Sequence, residues 1–332
     1  MNKSPLISIV LPTYNVDQYL RQCLESVAAQ TYRDIEVIII IDGATDGSYE
    51  IAQEFCKTDN RFSVYWQENA GSGPARNAGL KHCKGEFVMF VDPDDWIEPE
   101  LLEKLYEAQQ EGDYDLVASR RTIVLCDSQG KVVKTEPRHY KDESINEKQE
   151  ARQAFVRMLR EAVVSAPTQK LYKLSIIREH QVEFPSLRRS QDIVFNHRYY
   201  NYICSLRLIA YSGYNYRRIE QQATGKVEPD YYKTIVQLYN DYVSLYQSWG
   251  IPFPKQEMAE WFFRVRIYSY MQKMAGRKQD FREAAEDSTI RAIVLSALPK
   301  GFHLQLTKRL LLSKSYKTLS LFLKLILKTK QQ

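Results

Sequence analysis

The sequence predicts an α/β protein, a mostly parallel sheet with helices on both faces, followed by an α-helical appendage. Three observations lead there. Short apolar runs alternate with segments of helical period through about the first hundred residues. The segments that follow those runs carry glycines and carboxylates. Beyond residue 225 the pattern changes to aromatic residues spaced three and four apart. Alternation of strand and helix buries a parallel sheet between two helical layers.

The elements follow in order. Residues 6–11 are an apolar run closed by Pro12, a buried-strand signal. Asn15 caps a helix whose apolar positions Tyr19, Leu20, Cys23, Leu24 and Val27 share one face. Residues 35–41 (IEVIIII) are a β-branched strand buried on both sides. Ile51, Ala52 and Phe55 mark a second helix, and residues 62–66 alternate as a strand. Pro74, at a first helical position, opens a helix to about His82. Residues 87–91 form another apolar strand, and Pro99 opens a helix ending near Glu111. Residues 127–150 are polar and read as a long loop or flap.

After them come a helix over residues 193–203 and alternating residues 206–217. Tyr232, Ile235, Tyr239, Tyr242, Tyr246 and Trp249 then make one helical face. Thirteen of the 23 tyrosines lie between Tyr199 and Tyr270, so this region packs with amphipathic rings. The reading is a catalytic body over residues 1–225 and a helical region over 226–332.

Composition bounds the function. With 332 residues, 44% hydrophobic and 26% charged, the chain is not disordered, and a net charge of +5 is too small to argue for nucleic acid. Nine basic residues and no acidic one follow Asp287, so a slightly acidic body carries a basic tail. Lys314, Lys317, Lys324 and Lys328 fall on one side of a tail helix, opposite Leu319, Phe322, Leu323 and Ile326. Such a helix either packs its apolar side on the protein or lies, through residues 300–330, on an anionic membrane surface. Five scattered cysteines without a CxxC pair fit a reducing compartment and exclude a disulfide framework. No apolar run reaches the ~18 residues of a membrane span, so the expected location is cytoplasmic or peripheral on the inner face of the cell membrane.

In a parallel sheet, ligands bind beyond the carboxyl ends of the strands. Asp92-Pro93-Asp94-Asp95 stands at such an end. Three carboxylates in four residues repel one another and call for a cation, and their hard oxygens suit Mg²⁺ or Mn²⁺. The plainer alternative is an acidic turn before a helix. Asp42 stands at another strand end, while Asp46 and Ser48 read as caps for the helix they precede. Gly71-Ser72-Gly73 lacks the third glycine of a dinucleotide fingerprint, Arg76 standing there instead, and lacks the Gly-Lys-Ser/Thr of a P-loop. A glycine-lined loop with an arginine beside an acidic site suits a nucleotide-sugar. The five histidines show no zinc-hydrolase spacing, and no GxSxG elbow is present.

Pro12-Thr13-Tyr14-Asn15, Asp42-Gly43-Ala44-Thr45-Asp46-Gly47-Ser48, Glu68-Asn69-x-Gly71, Ala75-Arg76-Asn77-x-Gly79 and Asp92-x-Asp94-Asp95 stand in the order and spacing of the family 2 glycosyltransferases. The chain resembles their bacterial capsule and exopolysaccharide members. The likeness is dense over residues 6–105 and continues through Lys170-Leu171-Tyr172-Lys173, Gln191-Asp192-x-x-Phe195 and Tyr214-x-Tyr216-Arg217. It fades after about residue 225.

The resemblance implies a GT-A fold, a UDP-sugar donor, a glycan acceptor that is free or lipid-linked, a divalent Mn²⁺ or Mg²⁺, and inversion at the anomeric carbon. Carried over by position, Asp42 contacts the uracil or ribose, Asp92 lies by the ribose and Asp94 ligates the metal. Pro12, Tyr14, Asn15, Gly71 and Arg76 line the donor pocket, and Lys170 and Arg217 are candidates for the diphosphate or acceptor side. Asp192 takes the general-base position, its plainer role being a helix cap, with Glu183 the nearest substitute. Two departures are Ile41 before Asp42, where the family often has a second aspartate, and Gln191 in place of a glutamate. The rival readings are a nucleotidyltransferase, which would release pyrophosphate, and a catalytically inactive sugar-nucleotide-binding relative.

Overall fold

The computed structural model describes residues 6–187, 189–219 and 228–329. The boundary expected near residue 225 lies outside them, as does the terminal Lys330. The chain divides into two compact units, Met1–Gln222 and Ala223–Gln332.

The first unit carries one sheet built from β1 (Ile7–Thr13), β2 (Ile35–Asp42), β3 (Phe62–Gln67), β4 (Phe87–Phe90), β5 (Trp96–Ile97), β6 (Leu116–Cys126), β7 (Val132–Pro137), β8 (Glu143–Ile145), β9 (Lys170–Lys173) and β10 (Leu206–Ile219). The spatial order is β3-β2-β1-β4-β9-β6-β10-β5, with β7 added to β6 and β8 to β10. β3, β2, β1 and β4 are mutually parallel, as are β6 and β10. β9 runs antiparallel between β4 and β6 and joins the two parallel sets. The helices of this unit are α1 (Asp17–Ala28), α2 (Ser48–Thr58), α3 (Ser72–His82), α4 (Leu101–Gln110), α5 (Lys148–Arg160), α6 (Leu174–Glu179) and α7 (Gln191–Tyr200).

Alternation along β1 and β2 separates two cores. Ile7, Ile9 and Leu11 with Ile35, Val37, Ile39 and Ile41 face Leu20, Leu24 and Val27 of α1 and Leu101, Leu102 and Leu105 of α4. On the other side α3 lies so close to β1 that a Cβ at Gly79 would stand 2.4 Å from Val10 Cγ1. That contact seats α3 with its first turn over the strand ends.

Several boundaries differ from the expectation for local reasons. Pro12 lies within β1, opposite Ile40 of β2, where β1 has already lost β4 as a partner and a missing amide is tolerated. Asn15 does not cap α1: it adopts φ 44°, and its Oδ1 accepts the Thr45 amide at 2.8 Å. The cap comes from the neighbouring loop, where Asp46 accepts the Asp17 amide at 3.0 Å and Ser48 the Val16 amide at 3.1 Å. Asp46 also accepts the Ser48 amide, so one side chain serves the starts of two helices. Pro74 is the third residue of α3, whose cap is Gly71 at φ 96°.

The polar segment 127–150 is no flap. It turns through Gly130 (φ 81°) into the exposed strand β7, adds β8 to β10 and enters α5. Every residue of β7 is exposed, so no apolar alternation marked it as a strand.

In the second unit, α8 (Tyr231–Trp249) buries Ile235, Leu238, Tyr239, Tyr242, Tyr246 and Trp249, which is the expected face with Leu238 added and Tyr232 only half-buried. Tyr239 meets Phe253 and Phe262 edge-on at 5.5 and 5.2 Å. α9 (Lys255–Trp261) passes through a π-helical segment (Phe262–Ile267) into α10 (Tyr268–Met274), followed by α11 (Lys278–Glu286), α12 (Ser288–Ser296), α13 (Phe302–Leu312) and α14 (Tyr316–Thr329). Asp287 caps α12 through the Thr289 and Ile290 amides. Leu319, Leu323 and Ile326 of α14 are buried, so the side of the tail helix opposite its lysines packs on the protein. No helix among the described residues is long and apolar enough to cross a membrane.

The seating of α3 is testable. Gly79→Ala forces the first methyl into Val10, and its expected cost is about 1–3 kcal/mol of unfolding free energy, measurable in urea titrations. An unchanged midpoint would mean that α3 is free to lift from β1.

Candidate active site

β4 ends at Phe90 and delivers the acidic loop beside the end of β1 and the start of α3. Its three carboxylates meet different surroundings. Asp95 is buried, accepting the Tyr214 hydroxyl at 2.7 Å and the Arg217 backbone amide at 2.8 Å. Burial, then the charges of Asp94 and Asp92, push its carboxyl well up. The Tyr214 oxygen also accepts the Asp92 amide at 3.1 Å, so one phenol ties both ends of the loop. Asp95 therefore shapes the turn.

Asp94, in the same loop, is half-buried. Burial and the neighbouring Asp92 push its carboxyl up to about 6. An elevated carboxyl in a desolvated acidic loop is the mark of a site that gains from a bound cation.

Arg217, expected toward the diphosphate or acceptor, supports the loop from behind. Its Nε donates to the Asp94 carbonyl at 2.8 Å and Nη2 donates to Gln22, while the guanidinium lies 4.6 and 4.7 Å from the rings of Tyr19 and Trp96. Cation–π contact on two sides fixes the fork that holds Asp94 in place.

Arg76 makes the central contact. Carried on α3 and buried, it donates from Nη2 to Asp92 at 2.7 Å and from Nη1 to Asp192 at 2.9 Å. Asp92 and Asp192, a hundred residues apart, thus share one guanidinium, which also lies 5.3 Å from the Phe184 ring. Their side chains stay 28% and 36% exposed, open to a ligand from the outer side.

Asp192 is the second residue of α7 and not its cap, which is Ser190 at φ 66°. Its carbonyl accepts Asn196 Nδ2 at 2.8 Å, and Asn196 Oδ1 accepts the Tyr172 hydroxyl at 2.7 Å. Gln191 donates to the Ser72 hydroxyl and fills the space that a Cβ on Gly73 would need, its Oε1 2.3 Å from that point. The start of α7 is thereby keyed to the first turn of α3. Glu183 is exposed, and its carbonyl accepts Arg198 Nη1 at 2.9 Å.

The glycine loop after β3 is organised by Asp42. Its Oδ1 accepts Gln67 Nε2 at 2.7 Å and the Ala70 amide at 2.9 Å, and its Oδ2 accepts the Gly71 amide at 2.8 Å. The residue is 2% exposed, so in this state its carboxylate holds the glycine loop. Tyr14 is exposed at the mouth, with Pro12 buried beneath it and Asn15 on the Thr45 amide. Lys170 is fully buried, donating to the Ala166 and Thr168 carbonyls, and burial holds its ammonium well below the usual lysine range. It braces the loop before β9 and presents no charge to a ligand.

Sequence reasoning missed the pairing of Arg76 with Asp192, the double role of Tyr214 and the supporting role of Arg217. Separations of 116 to 123 residues leave no local signal for any of them. Among the described residues, no group of three or more His, Cys, Asp and Glu side chains converges to hold a metal. Asp92 and Asp94 are the side chains that could offer hard-oxygen ligands, with substrate phosphates and water needed to complete a shell.

The sheet thus gathers its carboxylates at the strand ends, where open α/β sheets bind their ligands. The profile of Glycosyl transferase family 2 matches residues 8–180, and the chain belongs to that family. It is 34% identical over 219 residues to the putative glycosyltransferase EpsH of Bacillus subtilis, covering 65% of this chain and 61% of that protein, about three fifths of its length. It is 36% identical over 217 residues to the glycosyltransferase GlyG of Streptococcus pneumoniae, covering 65% and 71%. The fold is similar to that of S. aureus TarS 1–349. The TarS complex with UDP has a TM-score of 0.65 at 18% identity, covering 97% of this chain and 91% of that one. Its complex with UDP-GlcNAc gives 0.64 at 19%. The expected GT-A architecture is therefore present.

Arg76→Met keeps the bulk and removes the fork. The expected loss is about 2 kcal/mol of stability, less than the 3–5 kcal/mol of a wholly buried pair because both carboxylates reach solvent. Arg76→Lys, which cannot span both aspartates, should recover less than half of it. Urea denaturation of the three proteins decides, and equal midpoints would reduce the bridge to a surface contact.

Proposed function

We propose that this family 2 glycosyltransferase is a metal-dependent inverting enzyme that moves a sugar from a UDP-sugar to a hydroxyl of a glycan acceptor, in the building of a bacterial surface polysaccharide. The observation that carries the reading is the juxtaposition of Asp92, on the acidic loop, with Asp192, on α7, across the single guanidinium of Arg76. The distance between a donor-side carboxylate and a proton acceptor is then set by one rigid side chain. The UDP and UDP-GlcNAc bound by TarS, which shares the fold, support a nucleotide-sugar as donor.

In this mechanism the acceptor hydroxyl lies against the outer side of Asp192, whose carboxylate takes its proton as the oxygen attacks the anomeric carbon. The bond from that carbon to the diphosphate breaks, and its electron pair leaves with the diphosphate. Asp94 and Asp92 would hold Mn²⁺ or Mg²⁺, which neutralises charge on the departing diphosphate. Arg76 holds Asp192 aimed, and Arg217 and Tyr214 keep the acidic loop from relaxing as charge changes. One base suffices, because no second carboxylic acid is needed to protonate the leaving group, unlike inverting hydrolysis with its two carboxyl groups.

The direct test is a donor panel, with each UDP-sugar incubated with Mn²⁺ or Mg²⁺ and released UDP measured with and without acceptor. Release of pyrophosphate would instead identify a nucleotidyltransferase, and absence of metal-dependent UDP binding an inactive relative. Asp192→Asn should leave UDP affinity within about twofold and reduce turnover by about 10²–10⁴. If donor affinity falls and turnover survives, the base lies elsewhere. Asp94→Asn should abolish turnover with the fold intact by circular dichroism, and excess chelator should do the same to the unaltered enzyme.

The raised Asp94 carboxyl gives a pH dependence. Below pH 6 it is protonated and a proton competes with the cation, so Mn²⁺ affinity in the presence of UDP should fall by up to tenfold per pH unit. Calorimetric titrations at pH 5 and pH 7.5 that give the same affinity would remove Asp94 from the metal site.

A further inference from the structure

The sequence places the lysines and the apolar residues of the tail helix on opposite sides, and the structure buries that apolar side at Leu319, Leu323 and Ile326. What remains outward is not purely cationic. Leu321 is 62% and Leu325 56% exposed, and at the helical period they stand to one side of the row of Lys317 and Lys324, both exposed, within about 100° of it. Large apolar side chains stand in water here without a protein reason, because the helix is already anchored. Its other side packs within the unit, and the Ser320 hydroxyl donates to the Ala275 carbonyl.

The surroundings repeat the pattern. Leu295, Leu298 and Phe302 are 66%, 58% and 69% exposed, so five of the thirteen exposed large hydrophobics fall within residues 295–325. α13 folds back along α14, its His303 ring 6.0 Å from that of Phe322, which sets Phe302 at the level of the middle of α14. Lys300 is exposed in the same stretch, and no carboxylate follows Asp287. Two of the basic residues are spent internally, Arg291 on the Leu311 and Leu312 carbonyls and Lys308 on those of Leu295 and Ala297. Among the described residues, no ion pair joins Lys300, Lys317 or Lys324 to a carboxylate.

We infer that this outward face of α14, with Leu321 and Leu325 set beside Lys317 and Lys324 and with Phe302 alongside, docks on an anionic lipid surface. Charge complementarity selects that occupant. Leucines beside lysines, and no acidic residue within the segment, match the headgroup boundary of an anionic bilayer, where ammonium groups meet phosphates and short apolar side chains enter the acyl edge. A second copy of this chain would bring lysines against lysines. The face is independent of the donor chemistry, and its failure would leave the proposed reaction untouched.

The test is co-sedimentation of the full chain with vesicles of phosphatidylcholine alone or with about one quarter phosphatidylglycerol. The expected result is binding to the anionic vesicles only, weakened in high salt as the Debye length falls from ~10 Å at 0.1 M to ~3 Å at 1 M. Lys317→Gln/Lys324→Gln should lower the partition constant by about fivefold per lysine. Leu321→Gln/Leu325→Gln should lower it by at least about tenfold at unchanged charge. Both pairs alter exposed residues, and unchanged thermal midpoints and UDP release would verify the fold. The proposal is overturned if the intact chain ignores anionic vesicles, or if the leucine pair binds as the original does. It is also overturned if light scattering shows a dimer that the leucine substitutions dissolve while vesicles are not bound.

Discussion

Carboxylates crowded at one end of a sheet repel, and the first unit is arranged around that repulsion. Asp92, Asp94, Asp95 and Asp192 gather where β4 ends and α7 begins. Burial pushes the Asp95 carboxyl well up, and Asp92 and Asp192 share the single positive charge of Arg76. Asp94 is left with its carboxyl raised. One guanidinium offsets one of the two charges it touches, so the unrelieved repulsion is spread over Asp92, Asp192 and Asp94.

The two arginines work differently because their surroundings differ. Arg76 uses the planar fork of its guanidinium to hold two acids at a fixed separation. Arg217 is clamped between the rings of Tyr19 and Trp96 and spends its donors on a carbonyl and an amide oxygen, which makes it a buttress. Neither could be replaced by lysine without losing this geometry, because an ammonium is a point charge on a flexible stem. Around them, two close approaches set the depth of the cleft: Gly79 against Val10, and Gln191 in the space over Gly73.

Much of this was legible in the sequence where the signal was local. The β-branched run of β2, the helical spacing of α1 and α8 and the acidic loop after β4 each depend on neighbours within a few residues. The roles of Arg217 and Lys170 were not legible, since a basic residue near a site looks the same whether its donors face a ligand or the protein's own carbonyls. Strand β7 was hidden by its complete exposure. Asn15 was misassigned as a helix cap because Asp46 and Ser48, thirty residues on, supply the cap from another loop. In the tail, the period separated two sides correctly but did not show that the lysine-bearing side also carries leucines left in water.

The supports of the acidic loop come from the far end of the unit. Tyr214 and Arg217 lie on β10, about 120 residues after the aspartates they hold, and Asp192 arrives only with α7. The motif therefore exists in the growing polypeptide long before its geometry does. During synthesis β1 to β4 can pair while the acidic loop is still slack, and the loop closes only when β10 settles beside β6 and β5. A fragment ending at residue 180, where the family match stops, would contain Asp92, Asp94 and Asp95 yet none of the three later residues that give them their shape. The acidic loop can take this geometry only once the residues through Arg217 have been made, with the second unit still to follow.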